Sequence, residues 1–371
     1  MPKAFRHPYI LLIGVLLLTF CKEEDTIVAT PYELNTPFNF GFYDIPEDNP
    51  LTEEGVQLGR RLFYDKLLSK DQSISCASCH QQNLAFTDGK KLALGINGSQ
   101  IPRNSMSIAN LLWSNRFFWD GRAISLEDQA LQPIENPAEM GLPIEEAVQR
   151  LRASSEYRAL FFNTFGTHNL DKEHIAKALA QFQRTLISQD SRYDVFLTSG
   201  KGFTEQELHG LNLFFTHPDT KSGVRGANCF DCHRNILTDG FPSGFDGFRN
   251  NGLDNPNNLK DGLMKVTKSE SDKGKMKVPT LRNIALTSPY MHDGRFETLE
   301  EVLSHYNEGV KESKTLDPLI RNATNIEGIH DEVKLGLTDQ EIAAVIAFLK
   351  TLTDQKFIQN EDFSDPFENQ D

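Results

Sequence analysis

Cys76-Ala77-Ser78-Cys79-His80 and Cys229-Phe230-Asp231-Cys232-His233 are two copies of one pattern: two cysteines three residues apart, then a histidine. On one helical turn, thiols at that spacing can both form thioethers with the vinyl groups of a haem. The histidine is then set against the iron as its axial ligand. A zinc site would need four ligands, and pooling the motifs would join distant segments. A redox dithiol has no use for the histidine. The chain has five cysteines, and only Cys21 lies outside the motifs, so none is left for a disulfide between domains. The pattern predicts haem c attached at Cys76 and Cys79 with His80 as ligand, and again at Cys229 and Cys232 with His233. The motif histidines are 153 residues apart, the spacing of two domains rather than of a compact multihaem ribbon.

Each motif is preceded by a helical pattern. Val56, Leu58, Leu62, Phe63 and Leu67 fall at helical spacing within 51–68, just before the first motif. Thr204 with Glu207 forms a capping box that opens a helix leading into the second. Residues 81–143 are rich in Gly, Pro and Asn and read as loop with short helix. Segments 144–165 and 171–197 read as amphipathic helices, the second with a stripe of Ile175, Leu179, Phe182 and Leu186. Leu197–Gly202 reads as a linker. A last helix runs from Thr338, capped with Glu341, to about Leu352. Strand-like runs are scarce. The expected fold is mainly α: two c-type cytochrome domains, 51–200 and 201–355, each around one covalently attached haem, with long loops and little β. Residues 356–371 read as a disordered acidic tail.

The N-terminus reads as an export signal. Lys3 and Arg6 precede an uncharged run from Tyr9 to Phe20 that is too short for a stable membrane span. Leu18-Thr19-Phe20-Cys21 resembles a lipobox, which makes 1–20 a lipoprotein-type signal peptide and Cys21 the lipidated first residue. Residues 21–50 read as tether and entry loop. The expected location is the periplasm or outer membrane, lipid-anchored. A net charge of −14 argues against nucleic acid as a partner.

The ordered set CASCH, FTDG (Phe86–Gly89), PRN (Pro102–Asn104), FWDGRA (Phe118–Ala123), NPAEM (Asn136–Met140), CFDCH, KVPTLRNIALTSPYMHDGRF (Lys277–Phe296) and TLEEV from Thr298 resembles the bacterial di-haem cytochrome c peroxidases, the family that includes MauG. The resemblance spans roughly residues 50–350. It implies a peroxide-reducing N-terminal haem and an electron-transferring C-terminal haem. Glu139 matches the distal acid–base and Gln129 its hydrogen-bonding partner. Trp119 matches the tryptophan between the haems. Asn104, with the carbonyls of Thr287 and Pro289, matches the ligands of a Ca²⁺ between the domains. His292 and Arg295 fall near the second haem as structural or propionate contacts. His168, His174, His209, His217 and His330 read as surface residues.

Two positions depart from the common pattern. Seven residues before Arg103, where many relatives carry a histidine that blocks the peroxide haem, this chain has Ile96. Isoleucine cannot ligate iron, so the resemblance implies a haem that needs no reductive unblocking. Nineteen residues after Thr287, where a methionine usually ligates the second haem, stands Tyr306, the MauG ligand type; His305 and Met291 are its rivals. A phenolate ligand stabilises ferric iron.

Three functions follow. The first is a peroxidase that reduces H₂O₂ to water with electrons from a small cytochrome c or cupredoxin. The second is a MauG-like enzyme that oxidises a protein or small molecule through high-valent haem, which Ile96 and Tyr306 favour. The third is a non-enzymatic electron-transfer cytochrome, against which Glu139 and Gln129 argue. Family members are often homodimers.

Overall fold

The computed structural model describes Met1 and residues 29–234, 247–328 and 332–367. The signal segment, Cys21 and His330 lie outside the described residues. The first half carries α1 (Glu53–Tyr64), α2 (Leu126–Glu135), α3 (Ile144–Ala153), α4 (Ser155–Phe165), α5 (Lys172–Thr185) and α6 (Arg192–Ser199). The second carries α7 (Glu205–Phe215), α8 (Met264–Thr267), α9 (Leu299–Ser304), α10 (Pro318–Arg321), α11 (Asp339–Lys350) and α12 (Gln355–Gln359). Among the described residues the only sheet is a pair of two-residue strands, β1 (Phe248–Arg249) and β2 (Met276–Lys277), antiparallel. The fold is mainly helical with little β, as the sequence predicts.

Each half is built on a crossing of two helices at a glycine. At Gly59 of α1 a Cβ would lie 1.9 Å from the Ala178 carbonyl oxygen of α5. At Gly210 of α7 a Cβ would lie 1.9 Å from the Ala344 carbonyl oxygen of α11. Only glycine lets the helices approach so closely. Phe182 and Phe348 occupy matching places beside the two crossings, and both are fully buried.

The capping boxes form as read. The Glu207 carboxylate accepts from the Thr204 N–H at 2.8 Å, and Glu341 accepts from Thr338 at the same distance. An arginine then pairs with each capping glutamate, Arg192 with Glu207 and Arg225 with Glu341.

The halves exchange pieces, which the boundaries drawn from sequence do not anticipate. Phe40, in the segment read as tether, is 2% exposed and packs in the second core. Helix α6, assigned above to the first domain, packs there too, with Tyr193 edge-on to Phe348 at 5.5 Å. In return, the supposed disordered tail is ordered through residue 367. It folds as α12 and a 3₁₀ turn, Glu361–Phe363, that bury Phe357 and Phe363 in the first core. Two aromatic anchors outweigh the acidic composition. The long helices expected over 144–165 and 171–197 are each broken, at Ser154 and at 186–191. Ser154 and Ser191 accept hydrogen bonds as N-caps of α4 and α6.

Candidate active site

Both cysteine–histidine motifs wind into one turn: the His80 N–H donates to the Cys76 carbonyl at 3.0 Å, and His233 to Cys229 at 2.9 Å. Each motif lies on the wall of a cavity. The first, about 2740 Å³ with its mouth included, is lined by Cys76, Cys79 and His80. The second, about 1710 Å³ with its mouth likewise included, is lined by Cys229, Cys232 and His233. All four cysteines are unpaired.

The histidines are set for metal binding. His80 Nδ1 lies 2.8 Å from the Phe86 carbonyl oxygen and His233 Nδ1 lies 3.2 Å from that of Pro279. A carbonyl only accepts, so each Nδ1 carries the proton and each Nε2 keeps its lone pair for iron. Burial lowers both pKa values, His233 to about 4, so the rings are neutral near pH 7. Two free thiols, a neutral imidazole of fixed tautomer and a large cavity together fit a covalently held haem.

What else lines the cavities differs. In the first stand Glu139 and Gln129, and no second histidine and no tyrosine among the lining residues. Burial raises the Glu139 pKa, partly opposed by a hydrogen bond from Asn136 Nδ2 to its Oε1 at 2.7 Å. The partner of Glu139 is thus Asn136, three residues away, rather than Gln129. Gln129 Oε1 is buried with no donor among the described residues, an acceptor left facing the cavity region. Ile96, where relatives place a blocking histidine, is 5% exposed and does not line the cavity. Its side chain fills the hollow over Gly141, and its N–H donates to the Glu139 carbonyl at 2.9 Å. The loop that blocks elsewhere here holds the Glu139 backbone.

In the second cavity Tyr306 and Met291 are on the wall; His305 is not. His305 Nε2 is instead 3.1 Å from the Asn251 carbonyl, so its ring is committed elsewhere. The Tyr306 hydroxyl accepts from Asn251 Nδ2 at 3.1 Å, and burial pushes its pKa up to about 12. A π-helical turn, His305–Gly309, follows α9 directly and turns these neighbours to different sides.

Trp119 lines both cavities, as does Asn104. Trp119 Nε1 donates to the Asn104 carbonyl at 2.9 Å, which fixes the indole in the wall between them. Thr287 and Pro289 line the second cavity only. His292 is also there, its ring 6.4 Å from Trp119. Arg295 binds Asp254 and Asp293, each at 2.6 Å, so the two carboxylates beside His292 share one guanidinium. His168, His174, His209 and His217 line neither cavity.

Residues 53–202 match the model of the di-haem cytochrome c peroxidase family. The methylamine utilization protein MauG of Methylorubrum extorquens is 35% identical, over 83% of this chain and 80% of that protein. This chain belongs to the di-haem cytochrome c peroxidase family. The cytochrome c551 peroxidase of Nitrosomonas europaea is also 35% identical, over 82% of this chain and 81% of that one. The crystal structure of a MauG-like protein associated with microbial copper homeostasis superposes with a TM-score of 0.79 at 38% identity, over 90% of this chain and 99% of that one. Membership makes the chain an oxidoreductase of two haem groups, and the two cavities are where its cysteines and histidines would hold them.

Proposed function

We propose that the chain reduces H₂O₂ at the first cavity with electrons that enter from a small redox protein through the second. The observation that carries this is an asymmetry. Glu139, buried with a raised pKa, lines the His80 cavity, where no other histidine and no tyrosine stands among the described residues, while Tyr306 lines the His233 cavity. When bound, the haems supply iron that takes up peroxide and stores electrons. Glu139 takes the proton of the nearer peroxide oxygen and returns it to the farther one, so that the O–O bond breaks with water leaving. Two electrons and two further protons complete the conversion of H₂O₂ to two waters. Gln129 orients the oxygen through its unpartnered side chain. Trp119 would carry electrons between the cavities, and Tyr306 would hold the second iron, whose charge would bring the phenol pKa down.

The same reading has Ca²⁺ beside the tryptophan. The Asn104 amide nitrogen is engaged by the Lys90 carbonyl at 2.9 Å, which leaves its Oδ1. No hydrogen bond among the described residues reaches the carbonyls of Thr287 and Pro289. These are hard oxygen donors of the type Ca²⁺ takes. We also take the chain to be exported to the periplasm and tethered by lipidated Cys21, and to be a homodimer. The support for export and tethering is the leader and Cys21; the dimer rests on its relatives.

Steady-state turnover with H₂O₂ and a reduced cytochrome c tests the main reading; absence of turnover would remove it. Ile96 and Tyr306 favour a MauG-like variant of the same chemistry, in which turnover with a donor protein is slow and another substrate is oxidised.

A further inference from the structure

The lining of the first cavity carries more basic than acidic side chains, the acidic ones being Asp120, Glu139 and Asp293. Lys91, Arg103, Lys260 and Lys265 all line it. None has a hydrogen bond or ion pair through its side chain among the described residues, whereas Arg122, also in the lining, pairs with Asp120 at 3.0 Å. The chain has 52 acidic side chains against 38 basic, so a basic group ordinarily finds a carboxylate. The three lysines are exposed as well as cavity-lining, which puts them at the mouth; Arg103 lies deeper. Lys260 and Lys265 come from the second half and flank the start of α8. With Arg122 and Lys277 the lining holds six basic side chains; the three acidic ones offset three of them and the two propionates of a haem would offset two more, which leaves one positive charge in excess. The same cavity wall includes the apolar Leu92, Ile101 and Phe118. Arg122 lies over the Phe118 ring at 3.5 Å and holds it flat.

We propose that this cationic, aromatic-walled mouth binds small aromatic anions that serve as direct electron donors at the first site. The proposal rests on the peroxidase reading. Each donor anion loses one electron, and two of them with two protons turn one H₂O₂ into two waters. The positive mouth concentrates anions against the repulsion of the rest of the protein. A neutral donor of similar size gains nothing from it.

The test uses the holoenzyme and the variant K260E/K265E, both positions exposed. Peroxide-driven oxidation is measured with the dianionic dye ABTS and with neutral hydroquinone. Binding of redox-inert naphthalene disulfonate is measured by calorimetry. We expect the ABTS-to-hydroquinone ratio of kcat/KM to fall by about tenfold in the variant and the disulfonate Kd to rise by a similar factor. The same ratio in the unsubstituted enzyme falls as salt rises. An unchanged ratio and an unchanged Kd would overturn the site and leave the cations to the propionates. If neither donor is turned over, the peroxidase reading is what fails, and the disulfonate titration decides the site alone.

Discussion

In the first half Gly59 lets α1 lie against the Ala178 carbonyl of α5; in the second, Gly210 does the same for α7 against Ala344 of α11. The frames match down to the phenylalanine beside each crossing. The cavities they support do not. One presents a buried glutamate with a raised pKa and an unpartnered glutamine, the other a tyrosine held by Asn251. The crossing helices hold the frame, and the loops between them carry the chemistry. On the function proposed above, a repeated domain is divided into a reacting half and a conducting half with no change to its packing core.

The comparison breaks most visibly if the reacting half loses its acid–base. Glu139→Gln keeps the shape and removes the proton transfer, so peroxide turnover falls by about 10²–10⁴. The spectrum of the second haem stays as it was. A loss within threefold would take Glu139 out of the mechanism. The shared frame is probed next by Gly59→Ala and Gly210→Ala. Each puts a methyl into a backbone carbonyl, and each costs about 1–3 kcal/mol in urea unfolding. Similar costs at the two positions confirm that the crossings are equivalent; a near-zero cost at one would show that its helices separate freely.

Much of this is legible in the sequence. Thr204–Glu207 and Thr338–Glu341 named their helix starts because a capping box is a local contact. Cysteine spacing puts each cysteine–histidine motif on one turn for the same reason. The exchange of segments was not legible. Periodicity tells that Tyr193, Phe196 and Phe357 need cover, but not which core supplies it. Acidic composition misled at 356–367 because two buried aromatics outweigh a charged surface. The bond from Asn136 to Glu139 is not legible, since a contact between two side chains three residues apart in a loop depends on the loop's geometry. The separation of His305 from Tyr306 needed the π-helical turn, which leaves no mark in sequence.

The conducting half is tested at Tyr306. Tyr306→Phe removes the hydroxyl that Asn251 now holds, so optical and EPR features of the second haem change while those of the first do not. Unchanged spectra would pass the place to Met291, which also lines that cavity.

The smallest effect is a displacement along the pH axis. Burial raises the Glu139 pKa, and the bond from Asn136 opposes it by favouring the carboxylate. Acting first as a base, Glu139 must be deprotonated, so activity is lost as pH falls through its pKa. Asn136→Ala removes the opposing bond and raises that pKa further. The acid limb of kcat/KM for peroxide therefore moves to higher pH, by about one unit for a hydrogen bond to a charged group. The half without the glutamate has no such limb, so electron uptake by the second haem, followed by stopped-flow, keeps its pH profile in the same variant. A shared displacement of both profiles would mean that Asn136 acts on the frame that the halves have in common, and not on Glu139.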